Sequence, residues 1–168
     1  MNISGLFNKD WTHFGEISKR LAANVDGQSI VANTVTTLDL DTELLNTGNK
    51  VVVNGDNTFT LQPGTYEFDY NVALRIGGIN AAATIRLWND TDSNLVTSKL
   101  FVDAYDGVGT TWQNLGLRGY ISISSPKTFK IDTICGDISE TGHRNVGSEL
   151  ETSDLVDISS FQFKWRSN

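Results

Sequence analysis

The run Thr58–Leu74, TFTLQPGTYEFDYNVAL, constrains this chain more than any other stretch. Tyr66, Phe68, Tyr70, Val72 and Leu74 alternate with Thr65, Glu67, Asp69, Asn71 and Ala73. In an extended strand, successive side chains point to opposite faces, so this period of two buries one face and wets the other. A helix would scatter the same aromatics and drag Glu67 inward. Pro63 presets φ for a turn, and Gly64 frees the backbone that follows it. Sliding the register by one residue would expose five large apolar groups, so the pairing is strongly specified.

The same text continues along the chain. Val51–Val53 and Thr58–Leu61 flank Asn54-Gly55-Asp56-Asn57, a hairpin signal. Residues 83–88 and 95–102 flank a second hairpin, NDTDSN, after a break at Gly77-Gly78. Leu115, Leu117, Ile121 and Ile123 share one parity within 111–124. Residues 129–134 follow the turn at Ser125-Pro126. Residues 136–157 read as a polar, acidic loop region with a short strand near Val146, and 158–165 closes the chain with Phe161, Phe163 and Trp165 on one face. With 30–40, this makes roughly eight to ten short strands with frequent turn signals, the pattern of an antiparallel sandwich or barrel.

The first 24 residues read differently. Trp11, Phe14, Ile17 and Leu21 are spaced as a helical stripe, with Lys19 and Arg20 near its C-terminal end, although Gly15 interrupts it. The expectation is an arm or short helix over 1–24 and one β domain over 25–168. Leu6, Phe7, Trp11, Phe14, Ile17 and Leu21 are too many large apolar groups to leave in water. They either fold back on the sandwich or dock on a neighbouring subunit or another protein.

Composition removes several function classes. The net charge of −7 opposes nonspecific nucleic-acid binding, which needs basic surface to displace counterions. No apolar run reaches membrane-spanning length, so no membrane insertion is expected, and the N-terminus lacks the basic and apolar regions of a secretory leader. Cys135 is the single cysteine, which excludes an intramolecular disulfide. His13 and His143 are not spaced as a ligand pair. The acidic run from Asp90 to Asn94 starts like a calcium loop, but Leu95 and Phe101 stand where such a loop needs Gly and Glu. Asp39, Asp41 and Glu43 could gather a cation, though acidic loops are common in so acidic a chain. No catalytic constellation, cofactor or metal site is expected. Trp88, Tyr105 and Trp112 lie near turns or off the main apolar parity, where aromatics can stack on sugars or anchor an interface.

Gly64, Tyr66 and Phe68 in strand β text of the form Gly-x-Tyr-x-Phe, with Phe161-Gln-Phe163 near the C-terminus, resemble the complement globular-head and tumour-necrosis-factor-like jelly rolls. The resemblance covers about residues 25–168. It implies an all-β, antiparallel jelly-roll sandwich, and it implies a compact homotrimer with aromatic residues near the threefold axis. Tyr66, Phe68, Tyr70, Phe161 and Phe163 are then core or trimer packing. Similar domains serve as bacteriophage and viral head decorations, fibre heads and tail tips. The arm points towards a virion structural protein, a capsid decoration docked on the major capsid protein or another virion protein. A tail-fibre tip binding a receptor or host-surface glycan through Trp88, Tyr105 and Trp112 is the second expectation, and a secreted complement- or cytokine-like ligand the third.

Overall fold

The computed structural model describes residues 11–22, 27–76, 82–102, 111–136, 139–141 and 155–168. Within them the chain forms β1 (His13–Ala22), β2 (Ser29–Ile30), β3 (Thr36–Thr37), β4 (Thr42–Asn46), β5 (Val51–Val53), β6 (Phe59–Leu61) and β7 (Gly64–Ile76). Then follow β8 (Ala82–Asn89), β9 (Asn94–Val102), β10 (Thr111–Ile123), β11 (Lys127–Cys135), β12 (Ser139–Thr141) and β13 (Leu155–Arg166). Every pairing is antiparallel. One sheet has seven strands, with β10, β7, β13, β1 and β4 side by side and β12 and β2 continuing from the end of β7. The other has six, in the order β5-β6-β11-β8-β9, with β3 added to β11. The expected jelly-roll sandwich is therefore the fold.

The inner faces close on an aromatic core. Phe161 on β13 lies with its ring centroid 4.7 Å from Phe59 of the facing sheet and 5.4 Å from Phe68. Phe129 stacks beyond Phe59 at 6.2 Å, and Tyr66 meets Phe163 edge-on at 5.5 Å. Tyr66, Phe68, Tyr70, Phe161 and Phe163 all sit in this interior. Burial pushes both tyrosine phenols well up, and the Tyr66 hydroxyl donates to the Gln62 carbonyl at 2.6 Å. The Pro63-Gly64 turn is tied to the same end of the core by Trp165, the register partner of Tyr66. Trp165 Nε1 donates to the Pro63 carbonyl at 3.0 Å, and Gly64 has a φ of 147° beneath that indole. Glycine alone takes that backbone without strain.

Of the two forms expected over 1–24, an arm or a short helix, the described residues show no helix. His13–Ala22 is a strand inserted between β13 and β4, with Gly15 opposite Phe163 and Ile17 opposite Phe161. Two forces explain the difference. Gly15 weakens a helix, and the β13 aromatics need a neighbouring strand to cover them. Packing thus overrides the spacing of Trp11, Phe14, Ile17 and Leu21. In the strand, Ile17 is fully buried while Phe14 points to the opposite face and stays 45% exposed. A bulge between Lys19 and Arg20 resets the alternation before Leu21.

Gly15 is required by packing. A Cβ there would lie 2.0 Å from Phe163 Cζ, so the ring occupies the space a side chain would need. Gly15→Val should therefore cost about 2–3 kcal/mol through overpacking, read as a lower urea midpoint. An unchanged midpoint would mean that Phe163 does not fill this gap.

Candidate functional site

Inward alternation leaves the other parity of the seven-stranded sheet facing out. Across β10, β7 and β13, the register aligns Tyr120 with Glu67 and Lys164, and Arg118 with Asp69 and Gln162. Across β13, β1 and β4 it continues through Phe14, Glu16 and Leu45. Together these residues cover a broad outer face.

Its chemistry is mixed. Phe14, Leu45 and Tyr120 are 45%, 47% and 67% exposed, all high for large apolar or aromatic side chains. Between them runs a polar ladder. Arg118 Nε donates to Asp69 at 3.0 Å, Lys164 pairs with Glu67 at 3.7 Å, and Gln162 Nε2 donates to Glu16 at 3.2 Å. The Asp69 hydrogen bond and charge hold Arg118 still more firmly protonated. Surface pairs of this kind add little stability but fix side chains in place and set charge complementarity. Between these side chains lies a depression of about 320 Å³, lined by Phe14, Leu45, Glu16, Glu67, Asp69 and Lys164 among others. Such an arrangement can bind; it presents no nucleophile paired with a base.

Of the three aromatics expected to contact a ligand, Trp88 and Trp112 stand on strands of different sheets. Trp88 is half-buried on the outer face of the six-stranded sheet, registered with Lys130, with the Arg86 guanidinium 5.4 Å from its ring. The Trp112 backbone lies on β10 opposite Arg75, in the other sheet. Tyr105, Leu6 and Phe7 lie outside the described residues, as do Val146 and His143. Trp11 is half-buried with the Arg166 guanidinium 5.3 Å from its ring, and Leu21 is half-buried within the sheet. Of the described arm residues, Phe14 reaches the outer face and Ile17 lies in the core.

The acidic candidates are engaged elsewhere. Asp41 pairs with Lys19, Asp39 accepts from Asn57 Nδ2 at 2.9 Å, and Glu43 accepts from Asn46 Nδ2 at 3.0 Å. Burial raises the Asp39 carboxyl despite the nearby Lys19 charge. Desolvation also acts on Asp41, but hydrogen bonds to Lys19 and Thr42 outweigh it and hold that carboxyl below its ordinary range. Asp90 and Asp92 pair with Lys130 and Lys127 at the hairpin tip. Among the described residues no cluster of His, Cys, Asp or Glu is built to hold a metal. Cys135 is a buried free thiol.

Sequence reasoning missed Tyr120 and Leu45. Tyr120 had a readable signal: it stands on the opposite parity to Leu115, Leu117, Ile121 and Ile123, so a large aromatic was placed where the strand should be wet. Leu45 had none, because its short strand follows an acidic loop.

Solved structures carry the same architecture. Murine APRIL at pH 8.0 superposes with a TM-score of 0.58, over 92% of this chain and 98% of that one, at 9% identity. A second structure of murine APRIL, at pH 5.0, gives 0.57 over the same shares and at the same identity. The fold is a tumour-necrosis-factor-like jelly roll. No protein-family model matches the chain, and no curated protein matches it by sequence. At this identity the likeness speaks for the tumour-necrosis-factor-like fold and for nothing further.

Proposed function

We propose that this chain is a homotrimeric recognition domain that binds another protein and performs no catalysis. The observation that carries the self-association is the outer face of the seven-stranded sheet, with Phe14, Leu45 and Tyr120 exposed around an ordered charge ladder, and recognition of a separate partner is proposed for surface this contact leaves free. Stable interfaces bury roughly 800 Å² per partner around aromatic anchors within a polar rim, and this face offers both parts. The resemblance to tumour-necrosis-factor-like domains adds that such sandwiches assemble as trimers. Of the two roles expected for Tyr66, Phe68, Tyr70, Phe161 and Phe163, core or trimer packing, all five serve this chain's own core. Self-association is therefore assigned to the opposite side of the same sheet.

Between the settings raised by the sequence, a ligand-type role like that of the cytokine-like domains fits better than capsid decoration. The decoration reading drew on a detached arm, and Ile17 in the core with His13–Ala22 in the sheet removes that support over those residues. Trimeric display multiplies weak contacts by raising effective concentration, so each subunit needs only a modest surface for its partner.

Phe14→Glu combined with Tyr120→Glu tests the assignment. Both sites are exposed, so the monomer should keep its fold within about 0.5 kcal/mol. Sedimentation velocity should show the trimer of the unaltered chain reduced to monomer, with the circular dichroism spectrum retained. An undiminished trimer would place the subunit contact elsewhere.

A further inference from the structure

We propose that Asn54-Gly55, at the tip of the β5–β6 hairpin, is a self-modification site at which Asn54 cyclises and hydrolyses to aspartate and isoaspartate. Asparagine belongs to the thermally labile side chains, and this is the one Asn in the chain followed by Gly. Cyclisation needs the next backbone nitrogen to reach the side-chain carbonyl carbon, and a following side chain obstructs that approach. Here the approach is open. Gly55 is exposed, and no atom lies within 4 Å of where its Cβ would stand.

The hairpin tip is held by its other residues. Asn54 N donates to the Thr58 carbonyl at 2.9 Å. The Asp56 carboxylate accepts from Thr58 N at 3.2 Å and Thr58 Oγ1 at 2.6 Å. Asn57 takes the left-handed turn with a φ of 63°. The Gly55 N–H and Asn54 Oδ1 have no partner among the described residues. The one restraint on the reacting amide is its nitrogen, which donates to Thr58 Oγ1 at 2.8 Å and Thr60 Oγ1 at 3.3 Å. These hydroxyls hold the leaving group, so the folded chain should convert slowly, yet at Asn54 before any other described asparagine.

The chemistry balances with water alone. The Gly55 nitrogen gives up its proton and bonds to Asn54 Cγ, and the tetrahedral adduct expels Nδ2 as ammonia, leaving a succinimide. Water then opens the ring at either carbonyl. One opening yields aspartate; the other carries the main chain through the side-chain carbon as isoaspartate. Both replace a neutral donor by a carboxylate beside Asp56, on the rim of a groove that already carries Asp41 and Glu43. Two donations to threonine are lost, and isoaspartate lengthens the backbone next to the Val53–Phe59 pair. The result would be an irreversible, time-dependent loosening of the β5–β6 hairpin.

The test is incubation of the folded full chain in mildly alkaline buffer, followed by peptide mapping with fragmentation that separates aspartate from isoaspartate. The expected result is a gain of about one dalton on residue 54, ahead of the other described asparagines, with isoaspartate present. Asn54→Gln should abolish it. Gly55→Ala, which meets no neighbouring atom, should slow it strongly with an unchanged thermal melt. The proposal is overturned if Asn54 stays intact in the folded chain while the denatured chain converts there, if another described asparagine reacts first, or if Gly55→Ala converts as fast as the parent.

Discussion

Phe161→Ala is expected to destabilise the sandwich by about 3–5 kcal/mol, the range for deleting a fully buried phenyl group. Phe161 is a ring at which the two sheets touch. It contacts Phe59 from the six-stranded sheet and Phe68 and Phe163 within its own. Its removal leaves a cavity bounded by rings on paired strands, which cannot shift without breaking the Phe161–Tyr70 and Phe161–Ile17 register. A domain of this kind has only about 5–15 kcal/mol of stability, so the variant should unfold at a much lower urea concentration. A loss below about 1 kcal/mol would mean that the inter-sheet contact is made elsewhere.

Asp132→Ala is expected to cost about 3 kcal/mol, by stranding a partly buried cation. Asp132 is 1% exposed, although it lies on the outward parity of β11. Its neighbours in the sheet flank it: Thr37 of β3 and Arg86 of β8 pair with it on either side, and Leu38 N donates to the Ile131 carbonyl at 2.7 Å. The carboxylate accepts from Arg86 Nη2 at 3.2 Å and from Thr37 Oγ1 at 2.8 Å. Arg86 Nε already lacks a partner, so removing the carboxylate leaves the guanidinium further uncompensated. Replacing the pair together, Asp132→Leu with Arg86→Met, should recover much of the loss, because burial of a well-paired charge is itself costly. Urea unfolding of the single and double variants separates the two cases. Equal losses in both would show that this region is held by packing and not by the Asp132–Arg86 pair.

What the sequence made legible was what period two encodes. The Tyr66–Leu74 alternation, the Asn54–Asn57 hairpin and Phe161-Gln-Phe163 each specified a strand and its buried face, and the structure places all of them so. His13–Ala22 was illegible for a physical reason. Four apolar residues at helical spacing do not say that Phe163 on a distant strand needs Gly15 to lie beneath it. That partnership joins positions far apart in the chain. Asp132 shows the same limit, since its carboxylate is held by Thr37 on a paired strand almost a hundred residues earlier. The outer face was half legible. Tyr120 violates the wet parity of β10, but its neighbours Phe14 and Leu45 come from strands that the local pattern did not reveal. Trp88, Tyr105 and Trp112 share only an aromatic ring near a turn or off the main apolar parity, and Trp88 and Trp112 belong to different sheets.

The central claim is self-association through the outer face of the seven-stranded sheet, and the molar mass of the unaltered chain in solution tests it most directly. Light scattering across a dilution series should give three times the 18.4 kDa chain mass, at concentrations where the Phe14→Glu, Tyr120→Glu chain gives 18.4 kDa. A mass of 18.4 kDa for the unaltered chain at every concentration would contradict the account.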